Sequence, residues 1–373
     1  MVMAVAPERA RHAQQDAEGA TAHRTRSPAL ARGSQWGGSM NRVSRSGQIP
    51  SMLLVVASLG CASAPAPSPS AALQVPQMTA EPNVPQDPNR VALGRLLFFD
   101  PRLSKNRDAS CSSCHVLTSF GIDGRATSDG REGLGGMRNT PTVLNAAFHI
   151  AQFWDGRAST VEAQVLDALT NPTEMGMPNE RAITEAISRV PEYVEMFRGA
   201  FPGDNLPISA HNVAEAIGAF ERGLVTGSRW DQFVAGDHSA LTATEKQGFS
   251  VFMQRGCTMC HTGPQAGGTT FEKVGAVFAW PNQQDLGRVE ITHFESDRMV
   301  FRVPSLKNIA ETGPYFHDGS TSSLVTAIRL MAFHQLGIEL PDHEVYAIED
   351  WMNSMTGEPE RAYITPPQLP PGG

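Results

Sequence analysis

Basic side chains are in short supply in this sequence. Lys and Arg total 30 against 38 Asp and Glu, a formal net charge of -8. Without a basic excess the chain has little with which to neutralise a phosphate backbone, so a generic nucleic-acid binder is not expected. Cysteine is equally sparse. Of the five present, four are locked into two short motifs and Cys61 stands alone, so they form no disulfide framework. Period-two strand patterns are scarce, no solenoid repeat is found, and the apolar run near the N-terminus is too short to span a bilayer. What remains is a chain of 373 residues with 40% hydrophobic and 18% charged side chains. That is enough for two or three domains, and it is not a disordered, collagen-like or coiled-coil composition.

Residues 1–39 are polar, with no periodic apolar face, and read as disordered or as an extension upstream of the true start. Met40 opens a better export signal: Asn41, Arg42 and Arg45, the apolar stretch 49–59, then Gly60-Cys61. Ser58-Leu59-Gly60-Cys61 is a loose bacterial lipoprotein signal, which places a lipid anchor on Cys61, on a membrane rather than through it. Ordinary signal-peptide cleavage is the alternative. Residues 62–70 alternate Ala, Pro and Ser as a semi-rigid linker. The organisation expected is an extension and signal over 1–60, a linker over 61–86, and two domains over 87–228 and 229–373. The C-terminal segment of the second packs back on the first. Residues 1–60 hold seven Arg and three acidic residues, which leaves 23 basic against 35 acidic, a net of -12, for the exported remainder. Basic protein partners are steered toward such a body.

From Asp87 the pattern turns helical, with Pro88 where a first-turn proline fits. Further helical stretches fall near 159–170, 180–199, 210–224, 242–255, 322–333 and 342–355. Thr242-Ala-Thr-Glu245 reads as a capping box. Gly, Pro and Asn punctuate long segments over 120–145 and 262–290. Short helices with long loops make a weak core unless a large apolar cofactor fills it. The fold class is therefore all-α with long loops.

Cys111-Ser-Ser-Cys114-His115 and Cys257-Thr-Met-Cys260-His261 carry that reading. Two thiols one helical turn apart can add to the two vinyl groups of one porphyrin. The adjacent His then ligates iron through an imidazole nitrogen. Composition alone predicts about 0.002 such motifs in this chain. A zinc site would want further Cys or His nearby, and a redox dithiol does not need the trailing His. The motifs lie 146 residues apart, about one domain. Two covalent haem c groups, one per domain, are expected, which makes the all-α fold two cytochrome c-like haem domains with long loops.

The sixth ligand decides what each iron does: a saturated haem carries electrons, an open one can do chemistry. Met331, about seventy residues after His261, is the candidate at the second haem, with His334 as competitor and plain helix packing as the bland alternative. The first haem has no obvious partner. Between His115 and Trp154 the only His is His149, which could swing into the first haem pocket or simply pack.

The sequence resembles the bacterial di-haem cytochrome c peroxidases. The residues that carry the resemblance are Leu-Phe-Phe-Asp-Pro-Arg-Leu-Ser (97–104), Arg-Asn-Thr-Pro-Thr-Val-Leu-Asn (138–145), Gln-Phe-Trp-Asp-Gly-Arg-Ala (152–158), Asn-Pro-Thr-Glu-Met-Gly-Met-Pro (171–178), Phe-Arg-Val-Pro-Ser-Leu-Lys-Asn (301–308), Pro-Tyr-Phe-His-Asp-Gly (314–319) and both haem motifs. The resemblance implies that His115 is the proximal ligand of a peroxidatic, low-potential haem. It implies that His261 and Met331 ligate a high-potential haem, and that Trp154 lies between the two. Glu174 resembles the distal acid/base, and Gln164 the polar residue beside it. Asn139, Thr312 and Pro314 match an interdomain calcium site, whose oxygen ligands suit a hard cation. Many members carry a removable distal His sixteen residues after the proximal one. Here that position is Arg131, whose guanidinium cannot ligate iron. The first haem is then expected to need little reductive activation. Arg131 either stabilises negative charge on oxygen or is simply solvated.

The implied activity is reduction of hydrogen peroxide to water with electrons from a small c-type cytochrome or cupredoxin, in the periplasm, by a homodimer. One rival is a di-haem oxidase of a protein or small organic substrate, like the enzyme that matures methylamine dehydrogenase. That enzyme has Tyr where Met331 stands. The other is a non-catalytic di-haem electron carrier.

Overall fold

The computed structural model describes residues 86–130 and 133–372. The expected signal, Cys61 and the linker through residue 85 lie outside these residues, and so does Arg131. Among the described residues no helix is long and apolar enough to cross a membrane.

The protein is mostly helical with little strand. Helix α1 (Pro88–Phe98) starts where Asp87 accepts a hydrogen bond from the Asn89 amide at 2.7 Å, with Pro88 in the first turn. A single turn, α2 (Cys111–Cys114), carries the first motif. Then follow α3 (Val161–Thr170), α4 (Glu180–Ser188), α5 (Pro191–Ala200) and α6 (Ala210–Glu221). Their apolar faces meet in a core that includes Leu97, Phe98, Leu169, Tyr193, Phe197 and Phe220. One helical stretch is expected over 180–199, and two helices are found. Pro191 lacks an N–H and pushes Val190 to an extended conformation, which ends α4 and starts α5.

Helix α7 (Arg229–Val234) has too few residues to show a period and is not legible from the sequence. With α8 (Ala243–Gln254), α9 (Val289–Thr292), α10 (Leu324–Met331) and α11 (Asp342–Asn353) it completes the second half. A second core forms around Trp230, Phe249, Phe252 and Trp351, with Phe252 and Trp351 ring centres 4.6 Å apart. Each such buried ring contributes about 2–3 kcal/mol. The expected capping box is present: Thr242 Oγ1 accepts from the Glu245 amide at 3.2 Å, and Glu245 accepts from the Thr242 amide at 2.8 Å. Strands β1 (Phe271–Lys273) and β2 (Val300–Arg302) pair antiparallel, with Phe271 opposite Arg302. Near the C-terminus, α12 (Arg361–Ile364) lies on the first core: Tyr363 stacks on Phe220 at 4.9 Å and donates to its carbonyl.

Both halves use one packing device. A Cβ added to Gly94 on α1 would sit 1.7 Å from the Ala216 carbonyl oxygen on α6. One added to Gly248 on α8 would sit 1.8 Å from the Ala347 carbonyl oxygen on α11. Each glycine lets the helix that precedes a haem motif touch the backbone of a later helix.

Candidate functional site

The two motifs reach the same local geometry from different turns. In the first, Cys111 and Cys114 bound the single turn α2, which the Ser113 hydroxyl caps by accepting from the Ser110 amide at 3.0 Å. His115 follows and donates Nδ1–H to the Gly121 carbonyl at 3.2 Å. In the second, a 3₁₀ turn over Cys257–Met259 brings Cys260 and His261 into place, and His261 donates Nδ1–H to the Ala266 carbonyl at 3.0 Å. A carbonyl can only accept, so each bond fixes the tautomer and leaves Nε2 with its lone pair for a metal. Burial holds both imidazoles below their ordinary pKa, hence neutral.

All four motif thiols are free, and burial pushes each upward, Cys257 to about 11. A redox dithiol needs the opposite shift. No group of three or more His, Cys, Asp or Glu that could hold a metal ion occurs among the described residues.

A cavity lined mainly by apolar side chains adjoins the second motif. Cys257, Cys260 and His261 line it, together with Phe252, Met331 and Met352. Met331 is the last residue of α10, and a π-turn (Ala332–Leu336) follows at once. His334 falls in that turn and is not part of the lining. Its Nδ1 donates to the Phe278 carbonyl at 2.9 Å, and its ring packs on Trp280. Of the two candidate ligands, the chain offers Met331 to the cavity.

A haem is an apolar disc with two carboxylates, and the cavity suits both parts. Arg302 Nη1, His317 Nε2 and both ring nitrogens of His149 are buried with no hydrogen-bond partner among the described residues, and all three side chains line the cavity. An unmet buried donor costs about 1–3 kcal/mol, so an anionic group is the natural complement. Burial brings Arg302 down to about 10. Of the two roles open to His149, the structure shows packing. Its ring lies against Gly268 in the same cavity, because the Ile150 amide bonds the Gly268 carbonyl at 2.9 Å. It is thus turned to the second haem motif, not the first.

Trp154 lines the same cavity, 9% exposed, and donates Nε1–H to the Asn139 carbonyl at 2.9 Å. Its chain neighbours serve another cluster. The Arg157 guanidinium lies 3.3 Å over the Phe153 ring, bonds Asp167 at 3.1 and 3.2 Å, and stands 3.6 Å from a Glu174 oxygen. Glu174 accepts from Asn171 Nδ2 at 2.8 Å. The side chain keeps 37% of its surface exposed; partial burial raises its pKa, while Arg157 pulls it back. The Glu174 charge is felt at both Cys111 and Cys114, so the carboxylate lies within Coulombic range of the first motif. A Cβ on Gly130 would lie 2.8 Å from the Thr173 carbonyl, so the loop that leads to Arg131 touches the Glu174 segment. Gln164 is on α3, three residues before Asp167 and on the same face. Arg157 is the site residue that sequence reasoning missed. Its only signal is its place in the 152–158 motif.

Asn139, Thr312 and Pro314 also line the large cavity. Asn139 donates Nδ2–H to the Arg125 carbonyl at 2.9 Å, which leaves Oδ1 to accept or to ligate.

Comparison with known proteins agrees with this chemistry. The family model for di-haem cytochrome c peroxidase matches residues 88–239. Cytochrome c551 peroxidase of Nitrosomonas europaea is 39% identical over 289 residues, 77% of this chain and 85% of the relative. Methylamine utilization protein MauG of Methylorubrum extorquens is 35% identical over 300 residues, 77% of this chain and 83% of the relative. The crystal structure of a MauG-like protein associated with microbial copper homeostasis superposes with a TM-score of 0.66 at 29% identity, over 76% of this chain and 93% of the other. Two haem motifs of matched geometry, a carboxylate beside the first and this degree of likeness place the chain in the di-haem cytochrome c peroxidase family.

Proposed function

We propose that the protein reduces hydrogen peroxide to water with electrons from a small c-type cytochrome or cupredoxin. One peroxide takes up two electrons and two protons and yields two waters. Haem bound at the two motifs would supply electron storage and redox chemistry toward peroxide. His115 and His261 would hold it through Nε2, Cys111, Cys114, Cys257 and Cys260 through thioethers, and Met331 would offer its thioether from the cavity.

The observation that carries the reading is Glu174 beside the first motif, poised by opposing influences. Burial favours its protonated form, and Arg157 favours the carboxylate. A group balanced in this way can accept the proton of one peroxide oxygen and hand it to the other, which leaves as water. Gln164 orders the peroxide from the adjoining face of α3. The 153–157 segment supports a path between the two sites: Trp154 lines the cavity beside the second motif, while Phe153 and Arg157 belong to the Glu174 cluster. Asn139 Oδ1 with the carbonyls of Thr312 and Pro314 binds calcium between the halves. The mature protein is periplasmic, acts as a homodimer and is lipid-anchored through Cys61.

Met331 at the cavity favours this reading over the maturation-type rival, which has Tyr at that place. The deciding experiment mixes reduced holoprotein with peroxide and reduced cytochrome c in a stopped-flow instrument. Wild type turns over, and Glu174→Gln loses at least about 10²-fold in turnover with both haem spectra intact. Full activity in Glu174→Gln refutes the proton role, and no turnover in wild type leaves the electron-carrier rival standing.

A further inference from the structure

One end of the large cavity gathers donors that the protein itself leaves unused. Arg302 is 4% exposed, its Nε reaches only the Phe153 carbonyl at 3.4 Å, and its Nη1 has no partner among the described residues. His149 adds two more unpartnered nitrogens. The two side chains are set side by side by one stretch of backbone. The Gly268 carbonyl accepts from Ile150, next to His149, and the Gly268 amide donates to the Val303 carbonyl, next to Arg302, at 2.8 Å. Gly268 holds a φ of +81°, and any Cβ there would stand 2.4 Å from the His149 ring, so the ring is seated against bare backbone. The other charged lining residues, Glu272 and Lys273, are solvent-exposed on β1. The buried positive charge of this cavity is therefore that of Arg302.

We propose that His149 and Arg302 form a clamp for one propionate of the second haem, Arg302 through Nη1 and His149 as a hydrogen-bond donor. The clamp rests on the reading of this cavity as the second haem site, and it adds a role for His149 that the motifs do not give. A propionate is the part of the cofactor that an apolar cavity cannot satisfy, and a guanidinium with a free N–H edge is its usual complement. His149 supplies a second donor at a fixed angle, because the Gly268 backbone leaves its ring no room to turn. The clamp also sets the electron affinity of the haem. A carboxylate whose charge is offset by Arg302 disfavours reduction less than a bare one, so the clamp raises the reduction potential.

The test uses full-length holoprotein, with mass spectrometry first confirming haem on Cys257 and Cys260. Redox titration follows for wild type, His149→Phe, Arg302→Gln and Arg302→Lys. Both His149→Phe and Arg302→Gln are expected to lower the midpoint of the second haem. For Arg302→Gln the ferric-to-ferrous ratio at fixed potential rises about tenfold, or about 59 mV. Arg302→Lys recovers most of that shift, and the spectral signature of methionine ligation persists throughout. An unchanged midpoint in His149→Phe overturns the clamp even if the Arg302 variants fail to accumulate. Loss of an axial ligand in His149→Phe also overturns it, because His149 would then bind iron. Wild-type protein without haem on Cys257 and Cys260 defeats the site itself, a result separate from either failure of the clamp.

Discussion

Arg157 is shared among carboxylates of Asp155, Asp167 and Glu174, at 3.3, 3.1 and 3.6 Å. Its effect on Glu174 has a definite sign. Burial holds that carboxyl above its ordinary pKa, and the guanidinium lowers it. A base must be ionised to accept a proton, so peroxide reduction falls as pH drops through the raised pKa. Arg157→Gln removes the downward pull, and the acid limb of the kcat/KM profile moves to higher pH. A profile of kcat/KM for peroxide against pH measures this, and a limb that stays in place shows that Arg157 does not act on Glu174. Residues differ sharply in how far the sequence reveals them. Covalent chemistry fixes the spacing of Cys111, Cys114 and His115, so those can be read directly. Met331 and His334 sit three residues apart on one helical pattern, and only the π-turn between them sends His334 to the Phe278 carbonyl. Arg302 is signalled only by its place in the 301–308 motif and His149 only as a lone His, because what marks them for a role is the absence of a buried partner.

Helices were legible where an apolar stripe ran for two turns or more, as in α1, α3, α6, α8 and α11. Short α7 left no period, and Pro191 divides what the pattern joins. The close crossings at Gly94 and Gly248 were invisible as well, since a glycine in a helix reads first as a weakness. Ala in place of a mid-helix Gly gains up to about 1 kcal/mol in an exposed helix. At Gly248 the new methyl meets the Ala347 carbonyl oxygen at 1.8 Å, and α8 must shift away from α11. Overpacking of this kind costs about 1–3 kcal/mol or more, so the net effect is a loss. Gly248→Ala holoprotein is expected to melt several degrees below wild type, and Gly94→Ala likewise. A raised melting temperature in either would show that helix propensity outweighs the crossing there.

At the scale of the whole molecule, one part of the join between the halves is a buried polar network. Thr226 lies in the connection from α6 to α7, 3% exposed, and its Oγ1 accepts two amides. One is Asn145 Nδ2 from the first half, and the other is Asn308 Nδ2 from the second, both at 3.0 Å. The Thr226 amide returns a bond to Asn145 Oδ1 at 3.1 Å, and Gly357 N–H donates to Asn308 Oδ1 at 2.9 Å. Asn145 and Asn308 are 3% and 0% exposed, so water cannot replace a lost partner. The sequence shows these residues only as turn formers in long loops, because their partners lie more than eighty residues apart along the chain. Thr226→Val keeps the shape and removes the acceptor. Two buried amides are then orphaned at about 1–3 kcal/mol each. The variant is expected to unfold at lower temperature, with the halves melting apart as two transitions where wild type shows one. Thr226→Ser, which keeps the hydroxyl, retains most of the stability. Calorimetry of the three holoproteins distinguishes the cases, and a single wild-type transition in Thr226→Val would show that the aromatic and ionic contacts hold the halves together without this network.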